Sequence, residues 1–447
     1  MTQALPTALD RRRRLPLALG RPRWVTGSFT GNLALAGLVA SGFLIAAGVA
    51  GEPSSFVPGR KGGYPGWLHG PLANLDLGID PRGIVLLIGA MWVFYLLALA
   101  VSRSISTRGA ITAIVAVHLV FLLGPPLLST DVFNYVEYGR LGLLHGLNPY
   151  THAPAVVPGD PAYAFIGWRD QTSVYGPIFT LGTYATAPLG VGGALWAMKA
   201  VAVAASLGCV ALVWHGARLR GRSPTEAAMF FGLNPLLLLY AVGGAHNDLL
   251  MMLLALAGVV YVLSARESAG GLAVVGGAAI KASSALLLPF MLIGARARWR
   301  TLVAGTLAGA GLTLALGVAV FHGHDLNMLA TFRWEQHHGS LHSVPKTLGS
   351  LVGLGVGSSG LRVLTVGGFL AALALSLEWA RRGGDWVVAA GWATLGLLVT
   401  TTWLLPWYLV WVLPLGAITG DRKLRLAIFA LSAFLIGMRV PLWLNWN

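Results

Sequence analysis

The sequence predicts an all-α polytopic membrane protein, and three observations carry that prediction. The 447-residue chain is 56% hydrophobic and only 11% charged, with a mean hydropathy of +0.71; soluble domains carry about 25% charged residues. Apolar runs such as 29–50 and 301–321 reach the ~20 residues a helix needs to cross a bilayer core. The positive charge is also sorted: net charge is +15, and 20 of the 31 Lys and Arg fall in short segments that can share one side.

Those segments hold Arg11–Arg14, Arg21 and Arg23, then Arg103 and Arg108, then Arg218, Arg220 and Arg222. Arg266, Arg296, Arg298, Arg300, Arg381, Arg382, Arg422, Lys423 and Arg425 complete the set. Such a bias marks cytoplasmic loops. The charge therefore orients the chain, with attraction to anionic membrane lipids as a second use, and nucleic acid is not an expected partner. The single cysteine, Cys209, lies in an apolar run and cannot form an internal disulfide.

With the N-terminus in the cytoplasm, residues 1–28 read as a disordered basic tail and 29–447 as one transmembrane domain. Spans fall near 29–50, 84–101, 110–128, 192–215, 225–243, 248–264, 301–321, 360–378, 386–402, 405–419 and 424–443. The first is too long for a signal-peptide core and reads as an uncleaved span. The stretch 272–294 is broken by Gly276, Gly277, Lys281 and Pro289, and counting it as a crossing would strand Arg296, Arg298 and Arg300 on the wrong side. It reads as a re-entrant hairpin from the cytoplasmic face, and 174–190, cut by Pro177 and Pro188, as a second re-entrant piece. Broken backbone of this kind is tolerated only against protein or a cavity. The total is about 11–13 transmembrane or re-entrant helices.

The polar chemistry gathers in the opposite loops, 51–82, 129–175 and 322–345, which hold eight of the 11 histidines. Loop 322–345 alone carries His322, His324, Asp325, Arg333, Glu335, His337, His338 and His342. Histidine pairs can bind zinc, but these spacings match no metal motif, so no metal or other cofactor is expected.

Residues 129–150 are the most informative segment. At 100° per residue, Asp131, Asn134, Tyr135, Tyr138 and His145 share one face, and Val132, Phe133, Val136, Leu143 and Leu144 take the other. Glu137 and Arg140 can pair at i,i+3. The pattern predicts an amphipathic helix in the outer membrane interface, ended by Gly146 and Asn148-Pro149. Asp131, at its first turn, is either a helix cap or a carboxylate general base. His246-Asn247-Asp248 sits at another outer junction, where Asn247 or Asp248 caps the next helix or the trio contacts an acceptor sugar. Lys281 is costly in an apolar hairpin unless paired and reads as structural at the inner face. Trp403, Trp407, Tyr408 and Trp411 read as an interfacial belt, with sugar stacking by Trp407 or Tyr408 as the alternative.

Asp131 followed by Tyr135, Gly146-Leu-Asn-Pro-Tyr150, Tyr175-Gly-Pro177, His246-Asn-Asp248, Lys281 with Pro289, Ser343-Val-Pro-Lys346 and Pro406-Trp-Tyr408 form an ordered set. This set resembles the GT-C membrane glycosyltransferases, in particular the actinobacterial polyprenyl-phosphate-mannose-dependent α-(1→6)-mannosyltransferases of lipomannan and lipoarabinomannan synthesis.

The resemblance implies a GT-C fold and inverting transfer of mannose from a polyprenyl phosphate to a mannan or glycolipid acceptor, at the outer face of the plasma membrane. It implies Asp131 as catalytic base. Arg333, Lys346, His337 and His338 are the expected donor-phosphate ligands, since Arg and Lys pair naturally with phosphate. Tyr135, Glu335, His246, Asn247, Asp248, Trp407 and Tyr408 are expected near the acceptor or sugar. Arabinofuranose transfer from a polyprenyl phosphate is the alternative within the class; a lipid-linked saccharide flippase or transporter is the alternative outside it. Ion-coupled transport is disfavoured, because only Lys199 and Lys281 lie within apolar runs and no acidic residue lies deep in a span.

Overall fold

The structure, a computed structural model, describes residues 28–51, 54–59, 62–340, 343–351, 353 and 358–440, with backbone alone at 335–338. The basic tail 1–27, Glu52, Arg60, Lys61, His342 and the side chains of Glu335, His337 and His338 lie outside the described residues.

Among the described residues all regular structure is helical. The first half comprises α1 (Phe29–Gly48), α2 (Gly66–His69), α3 (Pro81–Ala100), α4 (Thr107–Leu123), α5 (Asp131–Leu143), α6 (Pro177–Tyr184), α7 (Gly190–Leu219), α8 (Pro224–Gly232) and α9 (Asp248–Leu263). The second comprises α10 (Glu267–Ala278), α11 (Leu288–Gly294), α12 (Trp299–Phe321), α13 (Met328–His338), α14 (Val344–Leu351), α15 (Ser359–Arg381), α16 (Trp386–Thr400), α17 (Leu413–Thr419) and α18 (Arg422–Gly437). Starts are set by caps. Ser28, Asp80, Ser106, Ser223, Ser358, Asp385 and Asp421 each accept a backbone N–H of the following first turn, which satisfies one of that turn's orphan donors.

Among the described residues, five segments are long and apolar enough to cross a membrane: Phe29–Gly48, Pro81–Ala100, Pro177–Leu219, Arg296–Phe321 and Ser359–Arg381. Their outward residues are apolar as well. Leu307, Leu312 and Leu314 of α12 and Val363, Leu364, Leu370 and Leu375 of α15 are exposed, as expected of helices whose solvent is lipid. Two expected spans are broken. The run 225–243 divides into α8 and a π-turn at Leu237–Val242, because Pro235 has no N–H to continue the helix and Asn234 Oδ1 restarts it by accepting from Leu236 and Leu237. The run 405–419 divides into a 3-10 turn, Pro406–Trp411, and α17.

The sorted arginines meet at one end. Arg220 pairs with Asp385, Arg425 with Glu226 and Arg298 with Glu267, and Arg296 donates to the Arg381 carbonyl at 2.6 Å. The hairpin starts and ends at this basic end, with α10 packed along α9 and α12. Its tip, Ala279–Lys281, reaches Asp248 at the opposite end of α9. That helix has 16 residues, about 24 Å at 1.5 Å per residue. Lys281, expected at the basic end, is carried by the hairpin to the far end instead.

Helix α5 departs from expectation in another way. Val132, Phe133, Asn134, Tyr135, Val136, Glu137 and Tyr138 are all buried, so the helix lies inside the protein rather than on the membrane interface. Its polar face is matched by the following loop. Tyr138 donates to the Gln171 carbonyl, and Arg140 pairs with Asp160 at 2.8 Å instead of with Glu137. Its small-residue face lets α6 approach: a Cβ on Gly139 would meet the Thr183 carbonyl oxygen at 2.4 Å. The histidine-rich stretch is likewise not a plain loop, since residues 328–338 and 344–351 are helical.

Candidate active site

Chain geometry at the far end is set by two non-glycine residues in the left-handed region. Leu128, at φ +62°, turns the chain into Ser129-Thr130-Asp131, and Ala245, at φ +55°, turns it into His246-Asn247-Asp248. Such backbone is held only where the surroundings over-determine it. Leu128 donates to the Phe56 carbonyl and Leu127 to that of Gly243, which ties the two turns together.

Asp131 opens α5 but does not cap it. Thr130 occupies the cap position without a side-chain bond, and the Asp131 carboxylate faces away from the helix. Its Oδ1 accepts the Trp168 indole N–H at 3.3 Å, and its Oδ2 lies 3.7 Å from His246 Nδ1. Trp168 is held by Asn134, one turn along α5, whose Oδ1 accepts from the N–H groups of Gly167 and Trp168 while its Nδ2 donates to the Trp168 carbonyl. Burial pushes the Asp131 carboxyl up to about 6, with the Asp248 charge adding to the rise; the hydrogen bond from Trp168 and the charge of Lys281 oppose it.

A second carboxylate, Asp248, is fully buried and starts α9. Lys281 Nζ donates to both its oxygens, at 2.8 and 3.0 Å, and Trp411 Nε1 donates to Oδ1 at 2.6 Å. Neither Asn247 nor Asp248 caps α9 through its side chain. The Lys281 ammonium also lies 4.4 Å over the Tyr408 ring and 5.4 Å from that of Trp411. The Tyr175-Gly-Pro177 piece positions this lysine. Gly176 N–H donates to the Ile280 carbonyl at 2.9 Å and Ile178 N–H to that of Ala279 at 3.0 Å. The unpaired donors at the start of α6 thus meet the unpaired acceptors beyond the end of α10. Gly146-Leu-Asn-Pro-Tyr150 is a bolt: Asn148 donates to the Phe321 carbonyl, and the buried Tyr150 hydroxyl to the Tyr175 carbonyl at 2.8 Å.

Asp131, Lys281, Trp168, Trp403, Tyr408 and Trp411 share the wall of a cavity of about 290 Å³, together with Met328, Phe332 and Trp334 of α13. Lys281 is the only lysine or arginine on that wall among the described residues. The arrangement offers one carboxylate of raised proton affinity, one ammonium and a set of aromatic faces in a largely apolar, partly enclosed space. That suits a ligand with both a hydroxyl to deprotonate and an anionic group, bound against ring faces.

The structure brings seven sequence-predicted residues together: Asp131, Tyr135, His246, Asn247, Asp248, Trp407 and Tyr408. Only Asp131 and Tyr408 reach the cavity wall. Tyr135, His246, Asn247 and Trp407 are buried behind it, so direct sugar contact is not their geometry here. Trp403, Trp407 and Tyr408 are also buried and turn inward, which overturns the belt reading. Arg333 lines an adjoining groove of about 400 Å³ with Arg362, and Lys346, on α14, lines neither space. Sequence reasoning passed over Trp168, placed Trp411 in an interfacial belt and gave Lys281 a structural role. For Lys281 the signal existed: an ionisable residue in an apolar segment points to function by default.

Residues 34–297 match the alpha-(1->6)-mannopyranosyltransferase family over its N-terminal domain. The chain belongs to this family. Residues 174–440 also match glycosyltransferase family 87, so the family is one of hexosyltransferases. Alpha-(1->6)-mannopyranosyltransferase A of Mycobacterium tuberculosis is 29% identical over 351 residues, covering 72% of this chain and 67% of that protein. The protein of the same name from Corynebacterium glutamicum is 30% identical over 182 residues, 39% of this chain and 36% of its own length. A probable alpha-(1->6)-mannopyranosyltransferase of Mycolicibacterium smegmatis is 26% identical over 377 residues, 72% and 66% of the two chains. No solved structure matches the chain.

Proposed function

We propose that the chain transfers mannose from a polyprenyl phosphate to a hydroxyl of a mannan or glycolipid acceptor, with inversion, to form an α-(1→6) bond. The observation that carries this reading is the presence, on one cavity wall, of both the Asp131 carboxylate and the Lys281 ammonium. Asp131 takes the acceptor proton as that oxygen attacks the anomeric carbon. The bond from that carbon to the phosphate oxygen breaks in the same displacement, and the electron pair leaves with the polyprenyl phosphate. A β-linked donor thereby gives an α product. Two of the three Lys281 N–H donors go to Asp248; the third is available for the charge that grows on the departing phosphate. With a single phosphate leaving, the step needs no metal.

A lipid-borne donor is supported by the neighbouring groove. Phe332, Leu397 and Thr401 line both it and the cavity, and Leu361, Val366 and Phe369 of the lipid-facing α15 extend it. Arg333 and Arg362 make that groove cationic, consistent with a chain-bearing phosphate. The cavity lies at the end opposite the sorted arginines, which supports a cytoplasmic N-terminus and chemistry at the outer face of the plasma membrane. The test is transfer by the purified protein from labelled polyprenyl-phosphate-mannose to a mannose-containing acceptor, with polyprenyl-phosphate-arabinose as a second donor. Mannose transfer that disappears in Asp131→Asn is expected. Arabinose transfer alone, donor translocation without transfer, or full activity in Asp131→Asn would each overturn the proposal.

A further inference from the structure

His246 is a buried imidazole beside the proposed base that the reaction above does not use. It is 0% exposed, and it lies behind the cavity wall rather than on it. Its ring is clamped: Trp407 stacks on one face at 3.7 Å and 17°, and a Cβ on Gly244 would come within 2.9 Å of its Cδ2–Nε2 edge. The left-handed Ala245 sets the entry angle.

The two ring nitrogens differ. Nε2 is buried with no hydrogen-bond partner. Nδ1 faces two oxygens, Tyr135 Oη at 3.4 Å and Asp131 Oδ2 at 3.7 Å. The Tyr135 hydroxyl proton is directed to Asn247 Oδ1 at 3.3 Å, so the tyrosine oxygen presents lone pairs to the imidazole, and the carboxylate can only accept. A bare Nδ1 would set its lone pair against both. The proton therefore belongs on Nδ1, and Nε2 is bare.

We infer that His246 is a positioning residue for Asp131: its neutral Nδ1–H dipole faces Oδ2 from 3.7 Å, longer than a hydrogen bond, while Trp168 donates to Oδ1, so both carboxylate oxygens face a donor. It is a dead end for protons, because the bare Nε2 has no group to pass one to. The proton taken from the acceptor stays on Asp131 and leaves through the cavity. Burial and the Lys281 charge hold the imidazole well below its usual range, in keeping with a neutral ring. Lys281 from the hairpin tip is the charge that bears on its titration, and Asp131 and Tyr135 from α5 are the titratable groups that face its Nδ1.

This inference rests on Asp131 as base, and its test separates the two. Asparagine places an N–H near the Nδ1 position; leucine fills space without a donor; glutamine reaches toward Nε2. His246→Asn is expected to keep kcat within a few-fold of the parent. His246→Leu and His246→Gln should lose about tenfold in kcat at unchanged KM, with the acid limb of the pH profile moved up by about one unit, since the N–H dipole that favours the charged carboxylate is lost. A proton relay would instead leave asparagine as impaired as leucine, and that result overturns the inference. An inactive parent chain fails the functional reading alone. For that case infrared titration of the full chain, with Asp131→Asn as the blank, follows the Asp131 carboxyl directly. Its midpoint should rise in His246→Leu and hold in His246→Asn; equal midpoints in all three overturn the positioning role.

Discussion

Replacing Asp131 by Asn should abolish transfer and at the same time stabilise the protein at neutral pH. The Asp131 carboxyl titrates near 6 in the fold, against 3.8 for an unperturbed aspartate. Because the folded value is the higher one, this group favours the folded state below pH 3.8. The contribution is lost as pH climbs through 6. Above that the fold holds an ionised carboxylate in a site that disfavours charge. A shift of about two units, at about 1.4 kcal/mol each, makes that cost about 3 kcal/mol. The side chain is only 13% exposed, so solvent screening removes little of it. Asparagine keeps an oxygen to accept from Trp168 and carries no charge. The assay is the thermal unfolding midpoint of the purified protein in detergent, parent against Asp131→Asn, across about pH 4 to 8. The variant should gain a few degrees at the alkaline end and converge with the parent at the acid end. A variant that is inactive and also less stable at about pH 7.5 would refute the reasoning, because the carboxylate would then be serving the fold.

Four further outcomes follow from the same geometry. Lys281→Met leaves Asp248 buried without its cation, a loss of about 3–5 kcal/mol; adding Asp248→Asn should restore the unfolding midpoint but not transfer. Gly176→Ala would place a Cβ 2.2 Å from the Ala279 carbonyl oxygen, pushing the hairpin tip away at about 1–3 kcal/mol; lower stability with a raised donor KM is the expected readout. Trp168→Phe removes one hydrogen bond to ionised Asp131, so the acid limb of the pH–rate profile should rise by about one unit. Burial, aided by the neighbouring Asp160 charge, raises Glu137 to about 8, so its protonated form favours the fold and that support fades as pH rises through 8. Glu137→Gln should therefore unfold like the parent at about pH 4 and escape the loss that the parent suffers between 4.5 and about 8, as read by unfolding midpoints at both ends of that window.

Composition, run length and the sorting of arginines determined by themselves that this is a helical membrane protein and which loops share an end. Those signals survive in sequence because a bilayer imposes them residue by residue: apolar length sets a span, and local Lys and Arg set its sense. The ordered motif set also marked Asp131, His246, Asn247, Asp248, Trp407 and Tyr408 as belonging together. Their division of labour was decided only by tertiary structure. Asp131 differs from a cap because Trp168, 37 residues away, and His246, on another element, turn its carboxylate toward the cavity. Helix α5 has an amphipathic pattern, yet the loop that follows it covers its polar face, and periodicity does not distinguish water from a buried hydrogen-bonding partner as what covers that face. Lys281 moves from a plain inner-face lysine to the cation of the site because a glycine in another segment, Gly176, admits the hairpin tip to within hydrogen-bonding distance. Contacts of this kind depend on where the chain returns in space, and that is set by the packing of whole helices rather than by any local spacing.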